Sequence, residues 1–400
     1  MSIQKITLVS NSHLTSNPRL VKEAETLDEA GFTVSVIFLQ HIAELEIFDE
    51  EIIEKLAKVK FYAINFGGKD LSTRYLNCKR LLRKFWLKVN PTSKLRENLF
   101  FPEFKKIISK NNSDLYIGHT LLALPVVAWA AKQQKTRFAF DAEDYHRAES
   151  TDKTQNEFAE AIENKYLADA EYVSTASKFI SGAYLKHFKF KKIITLNNFF
   201  KYEELNLYKD AENLKPIKIV WFSQTIGLNR GLKEFIEKLV LLDSDLFELH
   251  LRGTNDEFIR SRLLDNVSAD WMDKIFFYGQ CSPNELDVWL RNFDIGLALE
   301  LTVPVNRDIC ITNKIFQYFN AGLAVVATPT TGQKSVTEQA EDACTLFTAN
   351  SDLNKLKSWT ENREKLEYAK TVARIAAKEI FDWTIEKKKL IEMIKQIKID

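Results

Sequence analysis

The chain has 400 residues, of which 45% are hydrophobic and 28% are charged, and it carries 56 Lys and Arg against 55 Asp and Glu. These values are typical of a globular protein of roughly two domains, and the near-zero net charge gives no general reason to expect nucleic acid as a partner. The four cysteines form no C-x-x-C pair and have no histidine at ligand spacing, which argues against a disulfide framework and a structural zinc.

The amino-terminal sequence, MSIQKITLVS, lacks the cationic start and the uninterrupted apolar core of a signal peptide. A membrane-spanning helix needs about 18 consecutive apolar residues, and the sequence contains no such run. Both features predict a cytoplasmic protein.

Short β-branched or aromatic runs alternate with stretches of helical periodicity, which is typical of a parallel sheet covered by helices. In the first half of the chain a helix is predicted over Arg19–Ala30, with Gly31 as its C-cap. The strands predicted in this half are Ile6–Val9, Thr33–Leu39, Leu115–Ile117, Phe138–Phe140 and Tyr172–Ser174.

The pattern restarts after Asn213–Pro216 with a second set of strands. We therefore predict an α/β fold of two tandem Rossmann-like, doubly wound parallel-sheet domains, over residues 1–210 and 211–400, with the last helix packing back on the first domain. Ligands are expected in the cleft between them, because parallel sheets bind ligands beyond the carboxyl ends of their strands. The second set comprises Ile217–Phe222, Phe247–Leu251, Ile275–Tyr278, Ile295–Leu299 and Ala324–Ala327.

The segment Asp308–Pro329 predicts a helix, a tight turn and a strand in succession. Thr312 can cap a helix over Asn313–Ala321, and Gly322 can close that helix in a left-handed turn before a strand at Leu323–Ala327. The free N–H groups at the helix start, together with the first two side chains, would form a cradle for pyrophosphate. The alternative is a surface helix with a solvated lysine.

Several runs of this sequence resemble one enzyme family. Asn313–Phe316 (NKIF), followed by Tyr318 and the Ala321–Gly322 pair, resembles the nucleotide-binding signature of glycosyltransferase family 4, the group 1 glycosyltransferases. Val220–Gly231 (VWFSQTIGLNRG) resembles the strand, glycine-containing loop and basic residue that begin its second domain, and Ser16–Leu27 (SNPRLVKEAETL) resembles its first loop and helix. Related residues also occur, in the family's order, at Gly31–Val34, Asp114–Pro125, Asp169–Ser177 and Trp383.

The resemblance implies a GT-B fold in which the second domain holds a nucleotide sugar and the first holds the acceptor. It also implies a retaining, hexosyltransferase-like enzyme with no cofactor besides its nucleotide-sugar substrate. The acceptor would be a glycan or a lipid-linked molecule in surface polysaccharide, lipopolysaccharide or glycoprotein glycan synthesis.

Transfer of a glycosyl group requires stabilisation of the pyrophosphate leaving group as its negative charge grows. Arg230 follows the glycine-containing loop, and its guanidinium can hold two phosphate oxygens at once, so it is the candidate catalytic cation. The alternative is a surface arginine at the start of a helix. The other candidate donor-binding residues are Gln224, Gly227, Gly253, Glu300, Asn313, Lys314 and Ile315.

The sequence departs from the family at two places. Gln224 stands where the family commonly has the first of two cations, and Ile309 and Gln317 stand where it commonly has two glutamates. Gln317, a candidate catalytic residue, can hydrogen-bond a ribose or sugar hydroxyl but supplies no carboxylate. Glu300 or Asp308 could supply it instead.

In the first domain, the run FDAEDYH after a predicted strand places carboxyl and imidazole groups at the strand's carboxyl end. Glu143 aligns with a position where family members often have a histidine, so it is a candidate catalytic residue that could orient acceptor or donor hydroxyls or accept a proton. The alternatives are a solvated or a capping carboxylate. The candidate acceptor-binding residues are Asn17, Arg19, His119, Asp144 and His146.

Lys79–Arg96 contains seven basic residues and no acidic one. A helix over Lys79–Val89 would collect its apolar residues on one side, which is typical both of a helix at an anionic membrane surface and of an ordinary domain helix. We expect the apolar side to be buried in the domain and the cationic side to face anionic acceptors or membranes.

Two further functions stay open at this point: a nucleotide-sugar epimerase of the same fold, and a glycan-binding protein that has lost activity. The missing cation at Gln224 and the missing carboxylate at Gln317 favour the latter. No Asp-x-Asp pair follows a predicted strand and no His/Cys cluster has ligand spacing, so we predict a reaction that needs no metal ion.

Overall fold

The computed structural model describes residues 2–68, 71–90, 94–204, 216–350 and 352–398. The chain divides into two compact units, Met1–Asn197 with Glu386–Asp400 (unit 1) and Asn198–Ile385 (unit 2). The segment at which the strand pattern restarts lies outside the described residues except for Pro216, and so does the expected boundary between residues 210 and 211. Unit 2 thus begins earlier in the chain than the sequence predicts.

Unit 1 contains a parallel sheet of seven strands in the order β3-β2-β1-β4-β5-β6-β7. The strands are β1 Lys5–Ser10, β2 Thr33–Gln40, β3 Lys60–Asn65, β4 Leu115–His119, β5 Arg137–Ala142, β6 Val173–Thr175 and β7 Ile193–Thr195. The helices are α1 Pro18–Glu29, α2 Ala43–Lys55, α3 Leu71–Val89, α4 Phe101–Ile108, α5 Leu124–Gln134, α6 Lys153–Tyr166 and α7 Lys178–Leu185.

Unit 2 contains a parallel sheet of six strands in the order β10-β9-β8-β11-β12-β13. The strands are β8 Ile217–Thr225, β9 Phe247–Thr254, β10 Ile275–Tyr278, β11 Ile295–Ala298, β12 Ala324–Ala327 and β13 Cys344–Leu346. The helices are α8 Leu232–Leu239, α9 Glu257–Leu263, α10 Ala269–Met272, α11 Pro283–Leu290, α12 Val305–Ile309, α13 Asn313–Asn320, α14 Thr331–Thr337, α15 Asn354–Glu361 and α16 Arg363–Glu379. The last helix, α17 Trp383–Lys395, begins in unit 2 and ends in unit 1.

Helix α1 shows how the local sequence sets an element's ends. The Asn17 side chain accepts a hydrogen bond of 3.0 Å from the Leu20 N–H, and Pro18 occupies the first turn, where its missing N–H costs nothing. Gly31 follows with φ of +89°, a left-handed conformation that glycine adopts without strain. Gly31 therefore ends the helix as predicted, although it stands one position after the C-cap residue, Ala30.

Every predicted strand is present, and the three strands that the sequence analysis missed are all edge strands. β3 and β7 lie at the two edges of the first sheet, and β13 lies at one edge of the second. Their residues are largely half-buried or exposed. An edge strand has a neighbouring strand on one side only and is less buried. It therefore lacks the continuous apolar run that marks a central parallel strand.

Unit 1 completes its core with the carboxyl-terminal part of the chain. Leu390, Met393 and Ile394 of α17 pack in one apolar cluster with Ile6 and Leu8 of β1. The apolar residues of strands β8, β9 and β11 form a separate cluster in unit 2. None of the helices in the described ranges is long and apolar enough to cross a membrane.

Candidate functional site

The strand order of unit 2 reverses between β8 and β11, since the chain runs outward from β8 to β10 and then from β11 to β13. Such a switch point in a parallel sheet opens a crevice at the carboxyl ends of the two central strands. Arg230 lies in the loop that follows β8, and Glu300 lies just beyond the end of β11. The fold therefore brings these two residues together at the preferred ligand position.

Arg230, Glu300 and Lys314 form one charged cluster at this point. The Arg230 Nη1 atom forms a salt bridge with Glu300 Oε1, and the Lys314 Nζ atom lies 3.7 Å from the same oxygen. The side chain of Glu300 is only 4% exposed and that of Lys314 only 9%, whereas Arg230 is 33% exposed. Two cations thus surround one buried carboxylate, and the arginine keeps a solvent-facing side.

Burial strongly affects the lysine of this cluster. Loss of solvation, reinforced by the Arg230 charge, lowers the pKa of Lys314 to about 8, although the Glu300 carboxylate acts in the opposite direction. The ammonium group lies 5.6 Å from the ring of Trp221, within range of a cation–π contact. The cluster therefore holds a poorly solvated cation, which an added anion would stabilise.

Glu300 is held by its backbone, and one side-chain oxygen remains available. Its N–H donates a hydrogen bond of 2.8 Å to Thr328 Oγ1, whereas its buried Oε2 atom has no hydrogen-bond partner among the residues that the structure describes. From the sequence, either Glu300 or Asp308 could replace the glutamate that is missing at Gln317. Asp308 accepts hydrogen bonds from the N–H and hydroxyl of Thr331, so Glu300 is the carboxylate that belongs to the cluster.

The start of α13 agrees with the predicted helix, with one correction. Thr312 occupies the N-cap position, but its side chain makes no capping hydrogen bond to the described helix, so the predicted side-chain cap is wrong. Asn313 Oδ1 instead accepts a hydrogen bond of 2.9 Å from Asn198 Nδ2. Ile315 is fully buried in the core, and Gly322 closes the helix with φ of +75° as predicted.

The candidate catalytic residue Gln317 and three of the predicted donor-binding residues are not part of the charged cluster. The Gln317 amide nitrogen lies 3.3 Å from Asp287 Oδ1 on α11, and the Gln224 side chain is exposed. Gly227 lies in the β8–α8 loop. Gly253 has φ of +149°, and a Cβ there would lie 2.3 Å from the Ser223 carbonyl oxygen, so close approach of β8 to β9 explains that glycine.

A close contact with strand β11 also explains the role of Tyr318 in helix α13. A Cβ at Gly296 of β11 would lie 2.2 Å from Cγ of Tyr318, so the tyrosine ring lies directly against the strand. The Tyr318 hydroxyl donates a hydrogen bond of 3.2 Å to the Leu297 carbonyl. Tyr318 therefore fixes α13, and with it Lys314, on the sheet. Gly296 was not among the residues predicted from the sequence.

Unit 1 contains a buried charged network at the carboxyl ends of β4 and β5. Arg19 donates two hydrogen bonds to Asp141, from Nε at 2.6 Å and from Nη2 at 2.7 Å, and both side chains are fully buried. His119 lies between Asp141 Oδ2 at 3.4 Å and Glu23 Oε2 at 3.3 Å. This position does not offer the Arg19 guanidinium to a ligand.

The charges of this network stabilise one another. Burial disfavours the imidazolium, but the Glu23 and Asp141 carboxylates outweigh it and raise the pKa of His119 to about 9. Burial likewise acts against the Asp141 carboxylate, and the Arg19 charge and His119 overcome it, so the pKa of Asp141 is well below its usual value. At neutral pH the network thus keeps its ion pairs in the interior.

Glu143 follows β5 and is partly buried beside this network. Burial, together with the neighbouring Asp144 carboxylate, raises the pKa of Glu143 to about 7. Burial and the Arg19 charge also lower the pKa of Lys22 to about 7. A carboxyl group with a pKa near neutrality has the acidity that a general base requires, and the catalytic role of Glu143 stays a prediction.

The remaining predicted acceptor residues have mixed roles. Asn17 caps α1, and the Asp144 carbonyl lies 3.4 Å from the Tyr184 hydroxyl. Thr120, directly after β4, has φ of +74°, a strained backbone for a β-branched residue. Thr120 and Lys22 were not predicted as site residues, because nothing in their local pattern sets them apart, and Asp141 was not chosen although it lies in the run FDAEDYH.

His146 lines a cavity of about 930 Å³ within unit 1. Its Nδ1 atom lies 2.8 Å from Glu149 Oε2; burial opposes the charged ring, but this contact with Glu149 raises the pKa of His146 to about 9. Its buried Nε2 atom has no hydrogen-bond partner in the part of the chain that the structure describes. The cavity also contains polar side chains, including Arg96, Asn156 and Lys165.

The described residues contain no group of three or more His, Cys, Asp or Glu side chains arranged to hold a metal ion.

Solved structures similar to this chain identify the fold. HepE from Anabaena, solved in complex with UDP-glucose, has a TM-score of 0.69 and 14% identity over 98% of this chain and 100% of its own. Sucrose-phosphate synthase from Thermosynechococcus elongatus has a TM-score of 0.69 and 15% identity, with 98% of each chain covered. Both are GT-B glycosyltransferases. The chain has the GT-B fold.

This result confirms the fold class that the sequence predicted, including two Rossmann-like domains. A Listeria monocytogenes protein described as a UDP-N-acetylglucosamine 2-epimerase is also similar, with a TM-score of 0.59 and 11% identity over 98% of this chain and 95% of its own. No protein-family model matches the sequence, and no curated protein matches it. The similarity to glycosyltransferases therefore rests on the fold.

Proposed function

We propose that this GT-B protein is a glycosyltransferase that moves a sugar from a nucleotide-sugar donor to a glycan or lipid-linked acceptor. The observation that carries the proposal is the cluster of Arg230, Lys314 and Glu300 at the switch point of unit 2. In the reaction, the bond from the anomeric carbon to the phosphate oxygen breaks and the acceptor oxygen takes the sugar. The charge left on the nucleoside diphosphate needs a preorganised cation.

The cluster supplies three contacts suited to such a donor. Arg230 keeps one side exposed and can bind two phosphate oxygens, while Lys314 adds charge at the start of α13, where helix N–H groups also favour an anion. The unpartnered Oε2 of Glu300 can accept a hydrogen bond from a ribose or sugar hydroxyl. Glu300 thus replaces the carboxylate that is missing at Gln317. HepE binds UDP-glucose, which supports a nucleotide sugar as the donor.

We place the acceptor in unit 1, in the cavity that His146 lines. A protonated His146 with a free Nε2–H, together with amide and cationic side chains, can donate hydrogen bonds to the hydroxyls of a glycan. Glu143 lies between strand β5 and His146 in the chain, and it is the proposed base for the acceptor hydroxyl. An acceptor in surface polysaccharide, lipopolysaccharide or glycoprotein glycan synthesis, and retention of configuration, remain parts of this proposal.

The two other functions have less support. The epimerase has a lower TM-score, 0.59 against 0.69 for HepE and for the synthase. Burying the charges of Glu300 and Lys314 costs free energy, which their pairing only partly offsets. A protein that only binds a glycan would not need this cluster. Glu300 supplies a carboxylate in place of the one missing at Gln317, which is one of the two departures that favoured the binding protein; the other, Gln224, still supplies no charge.

A panel of nucleotide sugars tests the proposed function. The correct donor should raise the melting temperature, because a ligand that binds only the native state stabilises it, and its slow hydrolysis should release nucleoside diphosphate. We expect both effects to survive excess chelator, since we propose a metal-independent reaction. Stabilisation without any turnover would support the binding protein, and isomerisation of the free donor would support the epimerase.

The proposed base predicts a pH dependence. Because the pKa of Glu143 is raised to about 7, the carboxylate form increases as pH rises through 7, and kcat/KM should rise roughly tenfold per pH unit below that value. In Glu143→Gln this limb should disappear and the rate should fall by about 10²- to 10⁴-fold. The matched control is Glu54→Gln, an exposed carboxylate on α2 that does not line the cavity of His146. An unchanged pH profile in Glu143→Gln would assign the limb to another group.

A further inference from the structure

Helix α3 presents its apolar side to solvent. Leu81, Leu82, Phe85, Trp86 and Val89 are 62%, 64%, 67%, 52% and 67% exposed. These residues repeat at intervals of three and four along the 19-residue helix, so they form one continuous stripe. Five large apolar side chains exposed together on one helix usually mark an interaction surface.

The opposite side of α3 attaches the helix to unit 1 through two arginines. Arg83 donates hydrogen bonds of 2.6 and 2.7 Å to the two carboxylate oxygens of Glu103, and one of 2.8 Å to the Leu99 carbonyl. The Arg80 guanidinium lies 5.3 Å from the ring of Phe66. These contacts fix the rotation of the helix and direct the apolar stripe outward.

The structure thus reverses the orientation expected from the sequence, which assigned the apolar side to the domain interior. The residues facing the protein include Arg80, Arg83 and the half-buried Leu87, while the apolar stripe is solvated. The reason is a specific pairing of Arg83 with a carboxylate on α4, which local periodicity does not reveal. Pro91–Ser93, within the same basic segment, lie outside the described residues.

Three of the remaining cations of α3 lie along the two edges of the stripe, and the fourth, the exposed Arg74, lies on the same side of the helix about two turns before Leu81. With about 100° of rotation per residue, Lys79 falls on one edge, and Lys84 and Lys88 fall on the other. Lys84 and Lys88 are exposed, and α3 contains no acidic residue. An apolar stripe bordered by lysines is the arrangement of a helix that lies in the plane of a membrane surface, with its apolar side among the acyl chains.

We propose that α3 is a membrane-binding helix that inserts Leu82, Phe85, Trp86 and Val89 into an anionic lipid surface. Charge complementarity selects this occupant, because phosphate headgroups would neutralise the bordering lysines. A second copy of the chain would instead oppose two helices with cations and no carboxylate, so their mutual repulsion argues against self-association. The proposal concerns α3 alone and does not depend on the proposed glycosyltransferase activity.

Sedimentation with vesicles tests the proposal on the full chain. The wild type should bind vesicles containing phosphatidylglycerol at least tenfold better than vesicles of phosphatidylcholine alone. Phe85→Ser/Trp86→Ser should lower binding to the anionic vesicles by tenfold or more. The matched control is Phe258→Ser, which removes a phenylalanine that is 65% exposed on unit 2 and should bind as the wild type does.

Charge variants separate insertion from simple attraction. Lys84→Glu/Lys88→Glu should weaken binding severalfold at 0.1 M salt, and the difference should shrink at about 1 M salt, where the Debye length is about 3 Å. The apolar double variant should remain defective at both salt concentrations. Equal binding by the wild type and Phe85→Ser/Trp86→Ser would overturn the proposal.

Sedimentation velocity without lipid distinguishes the other occupant of the stripe. A monomeric wild type at micromolar concentration is the expected result. A dimer that dissociates in Phe85→Ser/Trp86→Ser would assign the stripe to a second copy and overturn the membrane proposal. All variants should keep the melting temperature of the wild type, since the substituted side chains are exposed.

Discussion

Replacement of Arg230 by alanine is expected to lower kcat by about 10²-fold or more, as observed when an enzyme loses one preorganised donor to a developing negative charge. Arg230 is the most exposed member of the charged cluster, so its guanidinium is the one best able to reach the leaving phosphate. Arg230→Lys should recover only part of the rate, because an ammonium keeps the charge and loses the two-point contact. Turnover of the donor identified by the nucleotide-sugar panel measures the effect.

Two controls separate catalysis from folding. Arg291→Ala removes an exposed arginine of the same unit, paired with Glu203 at 3.1 Å, and should change kcat by less than about twofold. Arg230→Ala also leaves the Glu300 carboxylate without its closest cation, so the melting temperature must be compared with that of the wild type. Undiminished turnover in folded Arg230→Ala would contradict the assignment of the leaving-group cation.

Replacement of Arg19 by alanine is expected to destabilise unit 1 by about 3–5 kcal/mol, because it leaves the buried Asp141 carboxylate without its bidentate partner. His119 and the Ser174 hydroxyl still contact that carboxylate, and this places the loss toward the lower end of the range. Hydrogen exchange followed by mass spectrometry measures the effect, since peptides from β1, β4 and β5 report on unit 1 separately from unit 2.

Lys153→Ala provides the comparison, because it breaks an exposed pair with Glu157 and should cost less than about 1 kcal/mol. The double variant Arg19→Met/Asp141→Leu should recover much of the stability, since it removes both charges and keeps the volume. The His119 imidazolium adds stability below about pH 6.5, and that contribution should be lost as pH rises through 9. Equal protection in Arg19→Ala and Lys153→Ala would refute a structural role for the buried pair.

The parts of the donor site encoded within one segment could be predicted from the sequence. The helix over Asn313–Asn320 and its left-handed closure at Gly322 depend on neighbouring residues, so their pattern was sufficient. The ion pair of Arg230 with Glu300 joins residues 70 positions apart. The sequence named both residues, but only the parallel pairing of β8 with β11 brings them together.

For this protein the sequence by itself determined the fold class and the positions of all the central strands, because periodicity and turn residues act over a few positions. Tertiary structure decided what each side chain does. Arg19, predicted to meet an acceptor, is buried against Asp141, and Glu143 acquires a pKa of about 7 from burial and its neighbour Asp144. Helix α3 is the clearest case, since its amphipathic pattern fits either orientation and only the contact of Arg83 with Glu103 turns the apolar side outward.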